Sequence, residues 1–282
     1  MSYPDVDGWY SLTADTTVET IKPLLAIGSI EKLSISKIPL LTVKIAKRLA
    51  NLRVEELRLW CGVTRRAMRY MIRQPGLKVL DVLSIQGPSQ LANFSKAQDL
   101  KVFRSNCSMT EHDLLQVTQC AGLQELGAQS AQLSASAFSA ILALPDLVSL
   151  DLEATPFDDK MAKKVSRSKT ITSLDLGATR LTRAGLEHLV SMKQLRSLDV
   201  WATNLNETDL KLLSNLPELE YLSLGDHDGC SLLDPEAVTS ILLNFPSLKR
   251  VWLDGIRLEA SQRNALEAKL ESLRLTCVDE NN

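Results

Sequence analysis

Apolar residues recur along this chain at two nested spacings, a short one that changes from segment to segment and a long one of 23 or 24 residues. The long period is clearest from Leu147, where LVSLDLEATPFDDKMAKKVSRSKT, ITSLDLGATRLTRAGLEHLVSMKQ and LRSLDVWATNLNETDLKLLSNLPE follow one another. Each copy has leucine-class residues at positions 1, 4 and 6, Ala-Thr at 8 and 9, and an apolar residue at 11. Within a copy the pattern first alternates, as in Ser149-Leu150-Asp151-Leu152-Glu153, which predicts a strand with Leu150 and Leu152 turned to a core and the others turned away. It then takes helical spacing, as in Leu186, Leu189 and Met192, or Phe138, Ile141 and Leu144. Thr182, Asn206, Ser134 and Asp158 stand just before such runs as expected helix N-caps. Pro145, Pro217 and Pro246 are expected to stop the helices.

Units begin at Ile30, Val54, Leu77, Leu100, Leu123, Leu147, Ile171, Leu195, Leu219 and Leu248. A unit of this kind cannot bury its apolar face alone, so its neighbours must stack on it. Residues 7–29 read as a degenerate first unit, with Tyr10 and Leu12 inward and Thr16-x-x-Glu19 as a capping box that opens a helix to about Ile27. The expected organisation is an N-terminal cap over 1–29, an array over 30–270, and a closing strand from Leu273 with a polar tail over 271–282. The last step between units is longer, which predicts a protruding loop at Gly225 to Leu233, then Asp234 as N-cap and Pro235 as first helical residue.

These residues follow LxxLxLxxTxLTxxxLxxLxxLPx and resemble the leucine-rich repeat superfamily in its roughly 24-residue form. The resemblance covers nearly the whole chain. Two units depart from the pattern, with Gly62-Val63 in one and Gly87-Pro88 in the next. The resemblance implies an α/β solenoid, a horseshoe with a parallel concave sheet and convex helices. It also implies recognition of another protein through the concave side.

Composition narrows the function classes. Hydrophobic residues make up 45% of the chain but aromatics only 5%, so the core is aliphatic. A net charge of -2 exerts no general attraction on nucleic acid or anionic membrane. MSYPDVDGWY is not a secretory signal, no apolar stretch reaches the ~18 residues of a membrane span, and a cytoplasmic setting is expected. The five cysteines, Cys61, Cys107, Cys120, Cys230 and Cys277, are expected as reduced thiols.

No phosphate cradle, nucleophile elbow or zinc helix motif is present, so no enzyme, catalytic residue, metal or cofactor is expected. His112 and His188 fall in helical halves. His227 stands in the expected loop with Asp226, Asp228 and Cys230, a solvated cluster without cation-loop spacing.

The outward strand positions carry more information. Position 5 reads Ser34, Arg58, Asp81, Arg104, Gly127, Asp151, Asp175, Asp199, Ser223 and Trp252. Position 7 reads Ser36, Trp60, Leu83, Asn106, Gln129, Glu153, Gly177, Trp201, Gly225 and Asp254. Bases occur early and acids late. Trp60, Trp201 and Trp252 face outward, and Trp9 is expected in the same column, whereas every Phe occupies a core position or a helix end. Exposed Trp is enriched at binding hot spots. The expected protein-binding residues are therefore Arg58, Trp60, Arg104, Asp151, Glu153, Asp175, Asp199, Trp201, Tyr221, Asp226 and Trp252. The expected partner offers a basic surface to the later units, and the chain would act as an adaptor or an inhibitor, for example of a toxin.

Two other readings stay open, an exported effector acting on host proteins and nucleic-acid binding through the early units. From Ile30 to Gly76 there are 11 Lys and Arg against 3 Glu. In the expected helix Thr64 to Gln74, Arg65, Arg69 and Arg73 are four apart and would line one solvated face.

Overall fold

The computed structural model describes residues 4–13, 16–87, 91, 93–226 and 233–276. His227, Asp228, Gly229 and Cys230 of the expected loop, Cys277 and the polar tail lie outside the described residues. The chain forms two compact units, 1–147 and 148–282.

In the first unit six parallel strands follow in sequence order: β1 (Trp9–Leu12), β2 (Ser29–Leu41), β3 (Arg53–Thr64), β4 (Val79–Gln86), β5 (Val102–Ser105) and β6 (Glu125–Ala128). Helices α1 (Lys22–Ile27), α2 (Val43–Leu49), α3 (Arg65–Met71), α4 (Glu111–Val117) and α5 (Ala135–Leu142) fill the second halves of the repeats. The expected position-5 column is reproduced, with Ser34, Arg58, Asp81, Arg104 and Gly127 as successive register partners. Leu33, Leu57, Leu80, Phe103 and Leu126 form the buried column beside it.

Three local features differ from expectation. Helix α1 opens at Lys22 and not at Thr16, because Pro23 in its first turn has no N–H to donate back into an earlier turn. Thr17 and Thr20 close the preceding turn on each other, with each backbone N–H donating to the other's hydroxyl, and Glu19 pairs with Lys22. At Gly62-Val63 the sheet continues where a loop belongs. Leu40, Gly62 and Ser84 pair across β2, β3 and β4, and a Cβ on Gly62 would meet the Pro39 carbonyl at 2.7 Å. Past Gly87, the described residues form a 3-10 turn at Phe94–Lys96, and the wholly buried Phe94 ring meets Phe103 edge-on at 5.5 Å.

In the second unit the strands are β7 (Ser149–Asp151), β8 (Ser173–Asp175), β9 (Ser197–Asp199), β10 (Tyr221–Gly225), β11 (Arg250–Asp254) and β12 (Ser272–Thr276), again parallel and sequential. The helices are α6 (Asp159–Val165), α7 (Arg183–Leu189), α8 (Glu207–Leu213), α9 (Pro235–Leu243) and α10 (Ala260–Lys269). The caps agree with expectation: Asp158, Thr182, Asn206 and Asp234 each accept a backbone N–H from the first helical turn, as does Ser134 in the first unit. Pro235 is the first residue of α9.

The Leu-Asp-x-x-Ala-Thr run has a local physical cause. Asp151, Asp175 and Asp199 each use Oδ1 to accept the N–H two residues on, at 3.0, 3.0 and 2.8 Å. Ala154, Ala178 and Ala202 then turn the chain with φ of 54°, 51° and 49°. Thr155 and Thr179 hydroxyls close the turn by donating to the Leu152 and Leu176 carbonyls at 2.7 Å. Thr203 does the same to Val200. The strand is thus ended by side chains before the helix begins.

All five Phe are buried, as the aliphatic core requires. Cys61, Cys107 and Cys120 are free thiols, and burial pushes Cys61 up to about 11 and Cys120 up to about 12.

Candidate functional site

The face of each sheet turned away from the helices carries the residues singled out above. In the second unit, position 5 runs Asp151, Asp175, Asp199, Ser223 and Trp252 in direct register. Position 7 of β10 is Gly225, paired with Asp254, and its φ of 113° together with a Cβ that would meet the Asp254 carbonyl at 1.9 Å admits no side chain. The Trp201 indole therefore has room to reach β11. Its Nε1 donates to Asp254 Oδ2 at 3.0 Å, while Asp254 Oδ1 accepts from the Thr276 hydroxyl and Trp252 Nε1 donates to Thr276 Oγ1 at 2.8 Å. Arg274 stacks on Trp252, with its guanidinium carbon 4.8 Å from the ring centre.

This network borders a cavity of about 250 Å3 lined by Glu153, Asp175, Gly177, Asp199, Trp201, Trp252 and Asp254. Gly177 lies against the indole, and a Cβ there would stand 3.4 Å from Trp201 Cε3, in ordinary van der Waals contact. The carboxylates are crowded: Asp151, Glu153 and Asp175 bring one oxygen each within 4.8 Å of the others. Burial, and then the charges of Asp199 and Asp151, push Asp175 up to about 8. Burial also raises Glu153, helped by Asp151 and Asp199, and raises Asp199 against the Trp201 N–H bond that lowers it. Tyr221 is raised by burial and then by Asp199, and Arg250 stacks over its ring at 5.5 Å. Chemically this is a half-enclosed pocket of negative charge with two indole walls, suited to a cationic group.

Five of the expected residues thus meet at one place: Glu153, Asp175, Asp199, Trp201 and Trp252, with Asp151 and Tyr221 adjoining. Asp226 does not join them. It lines a different cavity of about 310 Å3 with Asn204, Leu205, Asn206 and Leu233, where strands give way to helices. Asp254 and Gly177 also line this cavity and were absent from the expected set. Their signal was their place in the position-7 column.

In the first unit, Arg58 stacks between Trp9 and Trp60, its guanidinium carbon 3.8 and 5.2 Å from their ring centres. Trp9 pairs with Lys32, so it belongs to the third-position column and not to that of Trp60, and it is buried. Trp60 sits at a register shift between β3 and β4, 48% exposed beside Leu83 at 49%. Its Nε1 lies 3.4 Å from Asp81 Oδ2. Arg104 is clamped by Glu125 through two bonds, one of 2.9 Å, so its charge is locally matched.

The basic helix requires a correction. Arg65 does not share a solvated face with Arg69 and Arg73, because it is 8% exposed and turned inward with Met68 and Met71. Its Nε and Nη2 donate to the wholly buried Asp113, at 3.2 and 2.6 Å to Oδ2, and its Nη1 donates to the Gly87 carbonyl at 2.7 Å.

No protein-family model matches the sequence. No curated protein matches it either. Among solved structures, the crystal structure of an internalin from Listeria monocytogenes is similar, with a TM-score of 0.51 at 15% identity over 97% of this chain and 83% of that one. At that identity the likeness is one of fold, and the fold is the leucine-rich repeat: a parallel sheet built from alternating strand and helix units. Among the described residues no helix is long and apolar enough to cross a membrane.

Proposed function

We propose that this chain is a non-catalytic protein-binding scaffold whose second unit receives a basic side chain of a partner protein in the pocket between Trp201 and Trp252. One observation carries the reading: two indoles and the carboxylates of Glu153, Asp175, Asp199 and Asp254 line a single cavity on the open face of the sheet. Like charges on neighbouring strands repel and are costly to hold together, which with burial keeps the Asp175 carboxyl protonated up to about pH 8. A guanidinium or ammonium entering the pocket relieves that repulsion and gains cation–π attraction from the indole faces. A preformed site on a sheet also lowers the ordering cost of association, which suits an inhibitor or an adaptor, and we place that activity in the cytoplasm.

The experiment is a paired capture from the native source with the parent chain and with a Trp201→Ala, Asp199→Asn double variant, quantified by mass spectrometry. A protein retained by the parent and depleted on the variant supports the reading. Identical recovery on both baits rejects this pocket as the binding site.

A further inference from the structure

We propose that the cavity between α2 and α3 of the first unit is a phosphomonoester site that takes a phosphorylated side chain of a protein partner. The cavity, about 230 Å3, is lined by Arg66, Arg69, Tyr70 and Arg73, with Val43 of α2 and Asn93 beside them. The four polar residues are spaced i, i+3, i+4 and i+7, which places them on one side of the helical turn, opposite the inward stripe of Arg65, Met68 and Met71.

Neither helix contributes an acid: α2 reads VKIAKRL and α3 reads RRAMRYM. Three acids of the first unit are already paired. Asp113 is held by Arg65, Glu19 by Lys22 and Glu55 by Lys78. Arg66 and Arg73 make no ion pair among the described residues. Arg66 and Arg73 stand at one cavity whose described lining holds no carboxylate, so they repel one another, and an anion between them removes that cost.

The form of the site selects the anion. Arginine forks match the oxygens of a phosphoryl group two at a time, and a phosphomonoester carries ≈ -1.5 to -2 charge with three acceptor oxygens, enough for several guanidiniums and a tyrosine hydroxyl. A nucleic acid strand instead needs bases repeated along successive elements to follow its backbone. Here the basic run is short: α2 carries Lys44, Lys47 and Arg48, α3 the arginines and the following turn Lys96, and α4 reads EHDLLQV, without a Lys or Arg. One cavity with one cluster fits one compact dianion. The site is on a different unit and a different layer from the indole pocket, so either can fail without the other.

The test follows the arginine Nε–Hε signals of the full chain by NMR during titration with O-phospho-L-serine and with phenyl phosphate. Inorganic phosphate, a single-stranded oligonucleotide and phosphatidylserine vesicles form parallel arms. Saturable shifts of the Arg66, Arg69 and Arg73 signals are expected, with the midpoint raised at least tenfold in an Arg66→Gln, Arg73→Gln variant. That variant replaces exposed residues and should keep the parent's Tm, and the phosphorylated probes should raise the parent's Tm but not the variant's. The proposal is overturned if neither phosphomonoester gives saturable shifts. It is also overturned if inorganic phosphate binds more tightly than both, which assigns a free anion, or if the double variant loses oligonucleotide or vesicle binding while leaving the phosphomonoester titration unchanged.

Discussion

Trp201 and Asp254 are joined across an intervening strand, the indole Nε1 donating to Oδ2 at 3.0 Å over the position where Gly225 leaves no side chain. Asp254 is nearly inaccessible, and it also accepts from Thr276. It therefore fixes the indole without having to touch a ligand. Hydrogen bonds to charged groups contribute ≈ 1.5–3 kcal/mol each, so Asp254→Ala should lower stability by about 2 kcal/mol or more in chemical denaturation. It should also weaken the near-ultraviolet circular dichroism of the tryptophans. A variant as stable as the parent with an unchanged aromatic spectrum would show that the bond does not hold Trp201.

Asp175 predicts a pH signature. Its carboxyl is pushed up to about 8 from the ordinary 3.8 by burial and by Asp199 and Asp151. Between those values the folded chain holds a proton that the unfolded chain has released, so stability falls as pH rises through that window. The slope for one proton is at most about 1.4 kcal/mol per pH unit, and less here because the site meets solvent. Asn keeps an oxygen for the Gly177 N–H, which Asp175 accepts at 3.0 Å, and removes the charge. Urea denaturation of Asp175→Asn should match the parent near pH 4 and exceed it by a growing margin toward pH 8. A parent advantage at pH 8 would mean that the carboxylate charge is compensated.

Arg65 and its neighbour Arg66 should behave oppositely. Arg65→Ala strands the buried Asp113 carboxylate, and breaking one side of a buried pair costs about 3–5 kcal/mol. Arg66→Ala removes an exposed side chain and should stay within about 0.5 kcal/mol of the parent. Thermal unfolding of the two single variants decides between this orientation and one with Arg65 on the surface, which would give both the same small effect.

The same residue shows where sequence reading stopped. Within the repeats that follow the N-terminal cap, strand positions, the caps from Ser134 onward and the outward columns were legible because each is set within one 24-residue unit by alternation, a capping side chain or a Leu-Asp-x-x-Ala-Thr turn. The inward turn of Arg65 was not, since its partners Asp113 and the Gly87 carbonyl lie in later units. Spacing by fours put Arg65 with Arg69 and Arg73. The inward stripe of Met68 and Met71, read three residues back from Met68, would have placed it correctly. The three aspartates were legible as an acidic column but not as turn acceptors. The meeting of Trp201 with Asp254 depends on an empty position on β10, which only the register of three strands reveals.

On the proposed function, the acidic, indole-walled pocket of the second unit holds the partner. Charges around such a site act chiefly on association and its salt dependence, and a buried Trp acts on dissociation. With a captured partner immobilised, surface plasmon resonance at two salt concentrations should show that replacing Asp151, Asp175 and Asp199 together by Asn slows association and flattens its salt dependence. Trp201→Ala should speed dissociation at a cost of about 2 kcal/mol or more. If both variants bind as the parent does while charge reversal of Arg66 and Arg73 to Glu abolishes binding, the partner sits on the helical side of the first unit and the pocket is not its site.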